Sequence, residues 1–242
     1  MNIKNPTSFA FVLVSSLLFT SCLNWFGTTG KGNIVTESRT ATDFQSIELL
    51  TSAKVDIIKG DTFIVEVSDY ENIIKYLSIK VVSHNLIIST DPISTILINS
   101  KAHITITMPD SLKSVALSGS GDLNLTSAYK DLNTMILTGS GNINAIQKLN
   151  VDKLKANILG SGNITAYGNV KTLTALISGS GNVKFAELTA ETAECTISGS
   201  GNVYVKATNT LKAVISGSGN IEYTGNPTVN SSITGSGTVI HK

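Results

Sequence analysis

The chain has 242 residues, 41% of them hydrophobic, and a formal net charge of +1. Charged residues make up 14%, against about 25% in an ordinary soluble domain, so nothing electrostatic argues for a nucleic-acid partner or an acidic membrane surface. Twenty glycines against four prolines read as ordered turn positions, and the length suits a single all-β domain.

Residues 1–22 read as a targeting segment. Lys4 supplies the positive region, and Phe9 to Phe19 forms an apolar stretch too short for a spanning helix, which needs about 20 residues. The following Leu18-Phe19-Thr20-Ser21-Cys22 is similar to the lipobox of bacterial lipoproteins, whose cysteine is acylated and becomes the new N-terminus. Phe19 stands where the commoner lipobox has Leu. The expectation is an exported protein attached to a membrane through Cys22, with residues 23–29 as a linker. The residues after Cys22 (Leu23, Asn24, Trp25, Phe26) include no acidic sorting signal. If Cys22 carries lipid, Cys195 has no partner in the chain and should be buried and inert.

Residues 30–242 read as one domain, a degenerate part over 30–110 followed by regular coils over 111–242. The regular part supplies the template. Seven Gly-Ser-Gly tripeptides begin at Gly119, Gly139, Gly160, Gly179, Gly199, Gly217 and Gly235, at intervals of 20, 21, 19, 20, 18 and 18 residues. Offsets are counted from each first glycine. Within the degenerate part, Gly30-Lys31-Gly32-Asn33-Ile34 copies the turn and the aliphatic residue after it. Ile47, Leu49, Val55 and Ile57 occupy offsets −4, −2, +4 and +6 around Thr51-Ser52-Ala53, a turn without glycine. An insert follows. Ser68-x-x-Glu71 has the form of a capping box, and Tyr70, Ile73, Ile74 and Leu77 follow helical spacing, which predicts a short amphipathic helix over 69–77 packed on the N-terminal end. Ile79–Ser83 and Leu86–Ser89 predict a hairpin around His84-Asn85, and Ala102, Ile104, Ile106 and Met108 alternate as a strand ended by Pro109.

In the regular part, offset −2 holds Leu117, Leu137, Ile158, Ile177, Ile197, Ile215 and Ile233, and offset +4 holds Leu123, Ile143, Ile164, Val183, Val203, Ile221 and Val239. Offsets −4 and +6 are mostly apolar and odd offsets mostly polar, so one face of an extended chain turns inward. The same residue type at the same slot in every coil points to parallel stacking and away from a meander. The predicted fold is an all-β, right-handed, single-stranded parallel β-helix (β-solenoid) with coils of about 20 residues. Glycine suits the corners because it accepts positive φ. The next residue, Asp122, Asn142, Asn163, Asn182, Asn202, Asn220 and Thr238 in turn, predicts a ladder of stacked amides.

On these residues the chain resembles a bacterial lipoprotein family, the putative auto-transporter adhesin, head GIN domain. The carrying features are Asp43-Phe44-x-x-Ile47, then Val55-x-Ile57-x-x-Gly60, and the recurrent Gly-Ser-Gly-Asn-Ile/Val, as at Gly139–Ile143 and Gly160–Ile164. The resemblance implies a β-helix in the envelope of Bacteroidetes-type Gram-negative bacteria, with the outer membrane as the expected address. It implies no catalytic or ligand-binding residues.

The search for chemistry reads the same way. His84, His103 and His241 stand apart from Cys and carboxylates at metal spacing, so no metal, cofactor or catalytic residue is assigned. The acidic residues of the repeats, among them Asp122, Asp152, Glu187, Glu191 and Glu222, fall at unmatched offsets, with Glu187 and Glu191 placed in loops; glycosidase chemistry needs two carboxylates about 5–10 Å apart. The doubled period and the replacement of Asp by Asn in five of seven copies argue against a calcium-binding β-roll, and Gly-Ser-Gly has neither the Lys nor the following helix of a phosphate loop. What remains is surface: Ser, Thr and Asn lanes with outward aromatics such as Tyr204. The sequence is read as a non-catalytic envelope lipoprotein with a structural or adhesin-like role, whose outer lanes either solvate and hydrogen-bond a rigid rod or meet a glycan or a surface protein. A carbohydrate-binding or polysaccharide-degrading envelope protein is the alternative.

Overall fold

The computed structural model describes residues 27–242, so Cys22 and the apolar stretch before it lie outside the described residues. The period-two pattern around each Gly-Ser-Gly does what a half-buried strand pattern should. A strand runs into each corner and another leaves it, and both pair in parallel with their counterparts one coil away. The result is a β-solenoid built of coils of about 20 residues.

The predicted lanes are observed as continuous columns. Leu49, Leu117, Leu137, Ile158, Ile177, Ile197, Ile215 and Ile233 face one another in successive pairs. Val55, Leu123, Ile143, Ile164, Val183, Val203, Ile221 and Val239 do the same across the other side. All but the last member of each column is buried. Where one column swells, another shrinks: Phe185 enters the coil that also holds the small side chains Ala190, Ala193 and Cys195, all fully buried, as close packing of a fixed cross-section requires. Cys195 is 0% exposed, and burial, with the charge of Glu194 added, pushes its thiol up to about 12. It is an inert core side chain. From Leu149 onward a third side also becomes strand, through Leu149–Ile158, Gly168–Ile177 and Asn182–Ile197.

The corners need glycine for a different reason from the one the sequence offered. None of the tripeptide glycines has positive φ; among the described glycines Gly32, Gly168 and Gly225 do. Close approach is what excludes a side chain. A Cβ on Gly139 would lie 1.8 Å from the Gly119 carbonyl oxygen, and one on Gly141 1.7 Å from that of Gly121. Ser140, Ser161, Ser180 and Ser200 bridge successive corners through their backbone N–H groups, each donating to the first glycine one coil back, while Ser140 and Ser180 point their side chains to solvent.

The degenerate part departs from chain order. Ser46–Leu49 and Lys54–Lys59 form the coil next to the Gly119 corner, as their spacing predicts. The coil beyond it comes from later in the sequence. Asn85–Thr90 pairs in parallel with Ser46–Leu49, and His103–Met108 with Lys54–Lys59. Antiparallel strands then close the end: Leu77–Val82 on Asn85–Thr90, and Ile64–Tyr70 on His103–Met108, with Ile34–Arg39 outside it.

Three expectations are corrected here. Residues 30–34 do not form a coil, because Ile34–Arg39 is an antiparallel edge strand and Ile34 is exposed. The helix over 69–77 is reduced to a 3-10 turn, Ile74–Tyr76. Ser68 and Tyr70 are held in the strand Ile64–Tyr70, opposite Thr36 and Ile34. Between them buried Asp69 accepts hydrogen bonds from Ser100 Oγ (2.6 Å) and Lys101 N (2.8 Å), so long-range pairing outweighs the local capping signal. The hairpin forms, but its turn residues are Ser83 and His84, both with positive φ, one position earlier than predicted.

Candidate functional site

Because alternate residues point outward, each outer lane is a column of side chains about 4.8 Å apart, and the chemistry of the surface follows from what stacks on what. The lane after the corners is the predicted amide ladder. Asn142 Nδ2 donates to Asp122 Oδ1 (2.9 Å), Asn163 to Asn142 (3.0 Å), Asn182 to Asn163 (3.0 Å) and Asn202 to Asn182 (3.1 Å). Asn220 and Thr238 continue it. Every ladder amide is spent on its neighbour, which makes the lane structural.

A second, shorter ladder lies two residues on. Asn144 donates to Asn124 Oδ1 (3.0 Å), and Asn124 donates to Asp56 Oδ1 (2.8 Å). Asp56 Oδ2 accepts from His103 Nε2 (2.8 Å) and lies 3.4 Å from Lys54 Nζ. Burial alone would raise the Asp56 carboxyl; the bonds from Asn124 and His103 and the charge of Lys54 outweigh it and hold it below the usual carboxylate range. The sequence placed His103 on the outward face but missed this partner, because the two residues meet only through the out-of-order coil. His84 bonds the Asp43 carbonyl (3.0 Å) from its hairpin turn. His241 stacks on Tyr223, with ring centroids 4.8 Å apart, and bonds the Gly225 carbonyl. Among the described residues, no three His, Cys, Asp or Glu side chains are placed to hold a metal ion.

Two acidic residues do share a lane, contrary to the sequence reading. Glu187 and Glu191 belong to the long strand Asn182–Ile197, not to loops. Its pairings put Glu191 beside Lys171, and Lys171 beside Asp152. The order is therefore acid, base, acid over three coils, along a shallow groove of about 450 Å3. Lys171 Nζ lies 2.7 Å from Asp152 Oδ1. That bond and the lysine charge lower the Asp152 carboxyl, the opposite of what a general acid requires. Lys212 sits on Glu194 one coil away in the same fashion (2.7 Å). Stacking places like with like in the core and opposite charges side by side on the surface, which avoids repulsion between neighbouring strands.

One outward groove combines aromatic and polar groups. Tyr167 and Tyr204 flank about 440 Å3 together with Lys184 and Glu187. Tyr167 is fixed by its hydroxyl, which donates to the Ile146 carbonyl. Glu187 is the sole carboxylate in the lining, so the groove offers flat rings and single hydrogen-bonding groups but no acid pair. The sequence singled out Tyr204; Tyr167 escaped it because it lies past the strand Asn163–Thr165, where the coil bends toward its third side.

Comparison with known proteins agrees with this geometry. A family model described as "Putative auto-transporter adhesin, head GIN domain" matches residues 43–227. The chain belongs to that family. A crystal structure of a putative adhesin from Bacteroides fragilis superposes with a TM-score of 0.81 at 25% identity, covering 89% of this chain and 100% of the other. A putative lipid binding protein from Parabacteroides distasonis gives 0.77 at 27% identity, over 89% and 99%. A putative adhesin from Parabacteroides merdae gives 0.66 at 21% identity, over the same shares, and is similar in fold alone. No curated protein matches the chain.

Proposed function

We propose that this head-domain family member is an exported envelope lipoprotein, attached through Cys22, whose solenoid presents a non-catalytic adhesin-type surface. The observation that carries the reading is the surface itself. Ladder amides are consumed by one another, Asp152 and Glu194 are paired with lysines one coil away, and the groove between Tyr167 and Tyr204 is left with rings and polar groups such as Lys184 and Glu187. Kinship with proteins described as adhesins supports it; a relative described as lipid binding fits an address at a membrane.

Glycan is the ligand class the groove favours, since sugar C–H faces stack on flat rings while hydroxyls bond to groups such as Lys184 and Glu187. Incubating the purified soluble part on a glycan array tests this, and saturable binding lost in Tyr204→Ala is the expected result. New reducing ends would instead reveal the polysaccharide-degrading alternative. Attachment is tested by metabolic labelling with a palmitate analogue: label lost in Cys22→Ala is expected, and label unchanged by that substitution rejects the anchor.

A further inference from the structure

Every regular corner is a tripeptide, but the corner at the N-terminal end of the file is not. The connection between the strands Asn85–Thr90 and His103–Met108 spans residues 91–102. It stands off the Thr51-Ser52-Ala53 turn beneath it and leaves a partly open cavity of about 250 Å3 between them. The cause is legible in the glycines. A Cβ on a corner glycine points at the carbonyl of the corner on its N-terminal side. Thr51 and Ala53 carry such a Cβ, so the next corner cannot close down on them at coil spacing.

The lifted loop is apolar. Ile93 is 76% exposed, Ile98 41% and Ile96 40%. These are three of twelve large exposed apolar residues, packed into six positions, while the other nine are spread over the rest of the described chain. A cluster of this kind marks an interaction surface.

The first described strand is tied to the same loop. Thr28–Thr29 pairs in parallel with Leu97–Ile98, Thr28 N donates to the Ile96 carbonyl (2.9 Å), and Gly30 N to that of Ile98 (2.8 Å). Asn72 clamps the segment by donating to the Thr29 carbonyl and accepting from Lys31 N. Gly27 lies so close to Ile98 that a Cβ there would meet its Cδ1 at 2.6 Å. Cys22 is five residues before Gly27, a reach of at most about 18 Å, and Leu23, Trp25 and Phe26 between them are residue types that favour the membrane interface.

We infer that the Ile93–Ile98 loop is a second membrane contact, lying in the lipid interface beside the anchor and standing the rod on its N-terminal end. The inference rests on the proposed attachment at Cys22. Lipid at Cys22 supplies attachment, and the isoleucines supply orientation, since a single flexible tether fixes no angle and two adjacent contacts do. The C-terminal coils then stand about 40 Å from the lipid, at about 4.8 Å for each of the eight corner-to-corner steps. Without Lys4 the mature chain has 17 basic and 17 acidic residues and is formally neutral, which leaves no electrostatic pull, so the contact is apolar and insensitive to salt.

The test uses the full mature chain on vesicles of phosphatidylethanolamine and phosphatidylcholine, with an environment-sensitive fluorophore on Ile93→Cys or, as the distant control, Ser236→Cys. Buried Cys195 takes no label. Acylation at Cys22 is read separately, by mass. Nitroxide-bearing lipid should quench the label at Ile93 strongly and the one at Ser236 hardly at all, at low and at high salt alike. An acylated, vesicle-bound chain with both labels equally unquenched overturns the contact and leaves the anchor standing. Quenching at Ile93 in a chain that carries no lipid, repeated in Cys22→Ala so that only position 93 takes the label, supports the contact and removes the anchor. No lipid and no quenching ends both. A second copy of the chain covering the loop would shield the label from solvent without quenching it, which also overturns the proposal.

Discussion

Glycine and serine sit side by side at each corner and answer to different constraints. At Gly141 the Gly121 carbonyl oxygen occupies the space a methyl group would need, whereas the neighbouring Ser140 side chain faces water. Gly141→Ala should therefore cost about 3 kcal/mol, at the upper end of what overpacking costs in a tight core, and Ser140→Ala almost nothing. Urea unfolding reads the difference directly, and equal midpoints would show that the corners are not in contact. The same contrast holds between inside and outside. Ile177→Asp or Val203→Asp puts a carboxylate without a partner into a dry column and should abolish cooperative folding at room temperature, while Ser180→Ala keeps the wild-type circular dichroism melt. A folded Ile177→Asp protein would contradict the column assignment.

Among elements, those that repeat were legible and those that depend on distant chain were not. The columns from Leu49 to Ile233 could be read because position alone defines them, and the amide ladder followed from the same counting. The coil Asn85–Met108 could not be placed beneath Ser46–Lys59, since no local signal says that a later segment stacks under an earlier one. The pairing of His103 with Asp56 was missed for that reason, and the lane shared by Asp152, Lys171 and Glu191 because the third side follows its own register. The helical spacing at Tyr70–Leu77 misled because Asp69 is claimed by Ser100 and Lys101. Asp56 gives this scale its own prediction. Its lowered carboxyl stabilises the fold fully above the ordinary, unfolded value of about 3.9, and the contribution disappears as pH falls through the still lower folded value. Wild type should exceed Asp56→Asn by about 1 kcal/mol at pH values above about 5, a figure reduced for partial exposure. The gap should close in stronger acid. A gap that stays constant through acid titration would mean that the ladder from Asn144 to Asp56 gains nothing from the charge.

Apart from the small pair Thr28–Thr29 and Leu97–Ile98, the described strands form one sheet wound on itself, with antiparallel strands closing its N-terminal end and the last coil left with exposed Val229 and Ile233 at the other. A rod of this kind has no hinge between coils, so a groove at Tyr167–Tyr204 is held at a fixed height above the loop at Ile93–Ile98. That is the geometry the proposed adhesin-type role calls for, a groove kept at a set distance from the proposed membrane contact. Everything rests on the corners forming a single straight file, and pulsed electron spin resonance between nitroxides on exposed corner serines measures it. With one label at Ser120→Cys and the second moved through Ser200→Cys, Ser218→Cys and Ser236→Cys in a Cys22→Ala chain, the distances should grow evenly. The expected series runs from about 19 Å to about 29 Å, in steps of about 4.8 Å per coil. Distances that scatter, or that fail to grow with coil number, would contradict the stacked solenoid and every lane drawn from it.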